Sequence, residues 1–310
     1  MLNITGRKKI FFIISGLLMV ASIVSLCIQG FNLDTDFAGG TTVTFKLGAD
    51  FESADIEEIA SDVLGSNQKP SSVQKSTGNE VIIKFAFPEN LNDDASRNDF
   101  SDDAIVNMQT RFAEKYTSAE VTGHDKVLPS TGIDLAKSAI WMSILAALAI
   151  LIYVTIRFEL ASGACAVLAL VHDVLILCGI YSICRIAIDT NYIAAVLTVL
   201  GYSINATIIV FDRIRENTRH AKKQSYSEIA NTSINQTIKR SINTTITTLL
   251  TIGMVYILGV PSIQVFALPI IIGIAIGTYS SICIAGPVWA TWKDVSAVSK
   301  ANKKASNNKK

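Results

Sequence analysis

The stretch Thr198–Asn217, TVLGYSINATIIVFDRIREN, decides how the rest of the chain is read. Its first two-thirds are apolar enough for a bilayer-spanning helix, yet they carry Gly201, Tyr202, Ser203, Asn205 and Thr207. It ends in the charged cluster Asp212, Arg213, Arg215 and Glu216. An amide facing lipid at mid-depth has no water to bond, and an unpaired polar group in hydrocarbon is costly. The polar side of this helix therefore faces other helices or a water-filled path.

Working outward, the composition suits that setting. The chain has 310 residues, 50% of them hydrophobic and 17% charged, with a mean hydropathy of +0.40. That is too apolar for an ordinary soluble domain of this length. The net charge of +1 conceals segregation: Asp34 to Asp134 holds 19 acidic and 8 basic residues. Charge sorted in this way points to compartments on two sides of a membrane rather than to nucleic acid. The five cysteines lie in or beside apolar runs, with no CxxC pair and no metal-ligand spacing to histidine, so they read as small apolar fillers.

Six apolar runs are long enough to span. The first, Ile10–Ile28, follows Arg7, Lys8 and Lys9 and reads as an uncleaved helix. The others are Ser138–Ile156, Leu160–Ile183, Tyr192–Phe211, Ile242–Leu258 and Val265–Trp292. The segment from Asp212 to Arg240, expected as a basic loop, holds seven Lys/Arg against three acids. The tail from Lys293 holds six Lys against one Asp, and its stretch from Ala297 to Lys310 reads as disordered. With Lys/Arg excess inside, both termini and that loop are cytoplasmic, and the acidic segment is outside. The expected layout is residues 1–30 as N-terminus and first helix, 31–137 as the external domain, 138–292 as helices two to six, and 293–310 as a basic tail.

The external segment alternates element types. A turn, DTDFAGG, leads into a strand at Thr42–Lys46. SADIEEIASDVLG reads as an amphipathic helix with Ser53 as its N-cap. Val73–Lys75 and Glu80–Phe87 flank Ser76-Thr77-Gly78-Asn79, a hairpin signal. The polar tract Asn90–Asp103 reads as a loop before a helix over Asp102–Tyr116, and Ala119–Val127 is the last strand candidate. The order β-α-β-β-α-β suits a ferredoxin-like α+β sandwich on a six-helix polytopic membrane protein.

Polar groups inside the runs are the candidate site. His172 and Asp173 sit mid-run, where an ionisable pair needs partners: they are either a structural hydrogen-bond pair or part of a proton path. Arg240, Thr244, Thr247 and Thr251 share one helical face, which Gln236 and Asn243 extend. Arg240 fits two placements: inside the membrane with a partner, or at the interface, snorkelling. Pro269, Gly273, Gly277 and Ser281 repeat every four residues, a stripe for close helix packing. No nucleophile–base constellation, phosphate loop or metal cluster is present, so the chain reads as no enzyme, with no cofactor or metal; energy comes from a gradient or a partner.

At these residues the chain resembles the SecD/SecF family of the bacterial Sec protein-export machinery, within the resistance–nodulation–division superfamily. Asp36-Phe-Ala-Gly39-Gly40-Thr41 resembles its entry motif into the external domain. Ala169-Leu-Val-His-Asp173 resembles its third-span motif, Ile193 through Asn217 its fourth-span signature, and Asn235 through Thr244 its fifth-span entry. The resemblance covers almost the whole chain. It implies a SecD partner with six spans of its own, placed in the cytoplasmic (inner) membrane beside the SecYEG channel and downstream of SecA. External domains pull on translocating polypeptide, and the ion-motive force drives them.

One position departs from the pattern. The family usually has Asp immediately after Asn205, and this chain has Ala206. In the family that carboxylate and the arginine matching Arg240 belong to the proton pathway. Coupling then rests with the SecD partner, with a neighbour such as Asp173 or Asp212, or is absent from this subunit. A small-molecule or lipid exporter of the same superfamily is the alternative, although such exporters usually carry larger, duplicated external domains. A membrane protease using Asp173 with Asp212 is a more distant one.

Overall fold

In a bilayer, the backbone must satisfy its own hydrogen bonds, so apolar runs of spanning length become helices. A computed structural model of the chain describes residues 2–307 except 66–68, 77, 89, 92, 117 and 222–223. Among the described residues, six helices are long and apolar enough to cross a membrane. The elements, in chain order, are α1 (Lys8–Gln29), β1 (Asn32–Leu33), α2 (Thr35–Ala38), β2 (Gly40–Lys46), α3 (Ser53–Leu64), β3 (Ser72–Lys75), β4 (Glu80–Ala86), α4 (Asp94–Lys115), β5 (Glu120–Val127), α5 (Pro129–Arg157), α6 (Leu160–Ile183), β6 (Ala187–Ile188), α7 (Thr190–His220), α8 (Tyr226–Leu258), α9 (Pro261–Ser280) and α10 (Gly286–Asn307). A π-helical turn, Ser281–Ala285, joins α9 to α10 so that they continue as one rod.

Helix α1 is inverted relative to a helix of a soluble bundle. On α1 the buried residues are Ser15, Ser22 and Ser25, while Ile13, Leu17 and Val20 face outward. Small polar residues inside allow close approach and interhelical bonds, and the apolar side chains suit lipid. Ser25 Oγ is 2.8 Å from Ser182 Oγ on α6, and Ser182 donates to the carbonyl of Gly30 at 2.9 Å.

The sheet runs β3-β4-β2-β5, every neighbour antiparallel. Alternation does the sorting. Val43, Phe45, Val81, Ile83 and Phe85 point to one face, where Ile56, Ala60, Met108 and Phe112 of α3 and α4 cover them. The opposite face stands over the helix ends. There Lys84 meets Asp34 at 2.5 Å and Asp36 at 3.9 Å. Burial works to lower the Lys84 pKa, but the bond to Asp34 and the charges of Asp34, Asp36 and Asp189 outweigh it and raise it. Asp36 Oδ2 also accepts from the Thr190 backbone N–H and hydroxyl at the start of α7. β1 pairs in parallel with β6, Leu33 opposite Ile188, so a two-residue ladder stitches the entry to the sheet onto the α6–α7 connection.

Four local expectations change. The N-cap of α3 is Glu52 rather than Ser53, and it makes no side-chain cap bond. The tract Asn90–Asp103 is largely helix: α4 starts at Asp94 because Asp93 caps it, accepting from the Ser96 N–H at 2.9 Å. The expected basic loop from Asp212 to Arg240 is helix on both sides, α7 running to His220 and α8 opening with a Ser225/Glu228 capping box. The tail is helical to Asn307, since nothing at Lys293 breaks α10; residues 308–310 lie outside the described residues. In the hairpin signal, Thr77 also lies outside them, while Gly78 and Asn79 take positive φ between β3 and β4.

Candidate intramembrane polar site

The α6–α7–α9 contact is close because small residues meet there. A Cβ at Gly277 would stand 2.9 Å from Ser203 Cβ, and one at Gly273 would overlap Val199. This closeness brings hydroxyls of α7 and α9 onto the carboxylate of α6. Asp173 is buried; its Oδ2 accepts from Ser203 Oγ at 2.6 Å and Ser280 Oγ at 2.8 Å, and its Oδ1 is 2.9 Å from His172 Nδ1. The other ring nitrogen, Nε2 of His172, is buried without a hydrogen-bond partner among the described residues. Tyr279 stands next to it, ring centroids 6.2 Å apart, with its hydroxyl 3.0 Å from Ser15 on α1.

Around this centre, Thr207 Oγ1 lies 2.8 Å from Ser281 Oγ, and Ser281 donates to the Ser203 carbonyl at 3.3 Å. Tyr202 donates to Thr245 at 3.2 Å, tying α7 to α8. Ser280 and Tyr279 are absent from the expected set. The signal for them is slight, because single hydroxyls in an apolar run are ordinary; the neighbouring small-residue stripe was the available pointer. The π turn that begins at Ser281 has no evident signature in its residues.

The remaining site residues lie apart from Asp173. Ala206 is on the buried side of α7, 9% exposed, whereas Gly201 and Asn205 are exposed. Arg240, Thr244, Thr247 and Thr251 form an exposed stripe on α8. Its threonines satisfy their hydroxyls within the helix, Thr244 bonding the Arg240 carbonyl and Thr251 that of Thr247. Arg240 lines a cavity of about 520 Å³ with Asp212, Arg213, Glu216 and Gln236. Arg213 there bonds Gln236 and Glu216, each at 2.6 Å. Arg215 points to the other side of α7, over the Phe158 ring. Asp36 and the two glycines after α2 sit at the sheet's entry; Gly39 takes φ +86, and a Cβ at Gly40 would strike the Phe85 carbonyl.

This arrangement ties three helices together at one buried carboxyl group and leaves a polar helix face uncovered. A family model described as "Protein export membrane protein SecD/SecF, C-terminal" matches residues 107–295. The chain belongs to the SecD/SecF protein-export family. Its relatives in that family include a protein translocase subunit SecF from Sebaldella termitidis, 33% identical over 290 residues, covering 93% of this chain and 90% of the relative. In Bacillus subtilis, the SecDF translocase subunit is 33% identical over 94% of this chain, which matches only 38% of that longer protein. A crystal structure of Thermus thermophilus SecDF, titled a translocon-associated membrane protein, superposes with a TM-score of 0.77 at 32% identity. That match covers 94% of this chain and 39% of the other.

Proposed function

We propose that this chain is the SecF-type auxiliary subunit that works with SecD in moving proteins across the cytoplasmic membrane. The observation that carries the reading is sequence identity of a third with SecF subunits along nearly their whole length. The SecDF proteins, single chains of which this one matches about two-fifths, support a SecD-type partner in the same membrane. SecYEG and SecA are the pathway components, and exported polypeptide is the substrate. The termini and the basic end of the bundle are cytoplasmic, and the acidic α+β domain is external. Its β3-β4-β2-β5 order with two helices on one face supports the ferredoxin-like reading.

The partner covers the exposed polar face of α7 and α8. Exposed Thr244, Thr247 and Thr251 on α8 and exposed Asn205 on α7 suit helix–helix contact better than lipid. Ion coupling lies mainly in the partner at this interface, because Ala206 cannot exchange a proton and Asp173 is committed to three hydrogen-bonding neighbours.

The test is replacement of the chromosomal copy by a depletable one. Depletion is expected to slow release of secreted precursors, and co-purification is expected to recover the SecD-type subunit. Normal secretion kinetics after depletion would overturn the reading. A change in drug or lipid accumulation without a secretion defect would favour the exporter alternative.

A further inference from the structure

We propose that the bundle end opposite the sheet carries a binding site for the phosphate of an anionic glycerophospholipid, between the α5–α6 turn, α7 and α10. A cavity of about 380 Å³ opens there. Arg215 and Arg219 line it one helical turn apart, so both guanidinium groups reach one mouth. Phe158 lies beneath Arg215, its ring centroid 6.0 Å from the guanidinium carbon. Trp289, 2% exposed, forms part of the lining. The one lining carboxylate, Glu159, is already engaged by Lys293 at 2.6 Å and the Trp289 indole N–H at 3.1 Å. Arg219 makes no ion pair among the described residues. The mouth is therefore cationic, with planar donors that match a phosphate.

The surroundings favour a lipid over a free anion. The cavity sits where spanning helices end, the depth of headgroups and interfacial tryptophan. From its rim an apolar ridge runs toward the bilayer centre: Ile156 is 81% exposed, Leu160 69% and Ile152 51%. Headgroup phosphate on the arginines and acyl chains along that ridge satisfy both surfaces at once. Basic pockets between spanning helices bind anionic headgroups in this manner.

The inference goes beyond the translocation reading and needs only that this end meets the bilayer surface. A chain that binds lipid as expected but supports no export leaves it standing, and a chain that exports without such binding refutes it alone. The experiment is native mass spectrometry of the purified full chain in detergent, titrated with dioleoylphosphatidylglycerol, dioleoylphosphatidylcholine or inorganic phosphate. Phosphatidylglycerol is expected to bind in preference. Arg219→Gln is expected to weaken it about fivefold and R215Q/R219Q about 25-fold, at roughly one surface cation's share each. Lys239→Gln, the same charge loss on α8, is expected to leave binding unchanged. Equal binding of phosphatidylcholine, wild-type affinity in R219Q, or an equal loss in K239Q would overturn the site. Displacement of the lipid by millimolar inorganic phosphate would reassign it to a free anion. Should the double variant misfold, R219Q alone decides, since Arg219 is exposed.

Discussion

Asp173 joins three helices through one carboxylate, and its neighbours have little else to bond at that depth. Asp173→Ala would orphan the Ser203 hydroxyl and the His172 Nδ1, at about 1–3 kcal/mol per buried group. The thermal midpoint in detergent should fall strongly for D173A and less for Asp173→Asn, which keeps an acceptor oxygen and the volume. An unchanged midpoint in D173A would show that the carboxylate is not structural. The sequence alone left His172–Asp173 open between a packing pair and a proton path, and the three short contacts of Asp173 favour packing. Ala206 asks the opposite question. A206D adds a titratable group on the inner side of α7, beside the helix face proposed for SecD. It is expected to preserve folding and to steepen the dependence of secretion on external pH. Secretion that responds to pH as in the wild type would locate all coupling outside this position.

At the scale of elements, contact between α7 and α9 depends on glycine. Gly277→Val would drive methyl groups into Ser203, and overpacking of this kind costs about 1–3 kcal/mol. It would also move Ser203 and Ser280 relative to Asp173. G277V should therefore lower the thermal midpoint by an amount not additive with D173A, which a double-mutant cycle measures. Strict additivity would mean that packing and the polar centre are independent. Helix limits were the least legible feature of these elements. Capping by Asp93 and by Ser225/Glu228 started α4 and α8 inside stretches whose polarity reads as loop. A helix that leaves the bilayer keeps its backbone bonds in water and needs no apolar face to continue, so hydropathy marks the end of the membrane, not the end of the helix.

For the whole molecule, the sheet is coupled to the bundle by Lys84 with Asp34 and Asp36, Asp36 with Thr190, the β1–β6 ladder, and Phe37 packed among Leu177, Tyr181 and Tyr192. Lys84→Met removes the cation from a mostly buried pair, and an uncompensated Asp34 is costly, about 3 kcal/mol. Hydrogen exchange at the Asp34 amide, which donates to the Ile188 carbonyl at 2.9 Å, should speed by at least about tenfold. Exchange within β2 and β4 should stay protected by their own ladder and core. Uniform acceleration would mean that the sheet unfolds rather than detaches. If the sheet domain transmits force to the membrane helices, this junction carries it.

The sequence by itself determined six spanning helices, the order of strands and helices from β2 to β5, the charge sorting and the family, but it read the short helix α2 as a turn. Each is written in local pattern: run length, alternation, turn residues and a contiguous motif. Only the tertiary structure decided that Ser280 and Tyr279 join His172 and Asp173, that Arg240 and its threonines face outward away from that centre, and that Asp36 links Lys84 of the sheet to Thr190 at the entry of α7. Those pairings bring together residues 30 to 264 positions apart. They depend on helix rotation, and rotation is set by which small residues let two backbones approach, a property of the pair that neither helix carries alone.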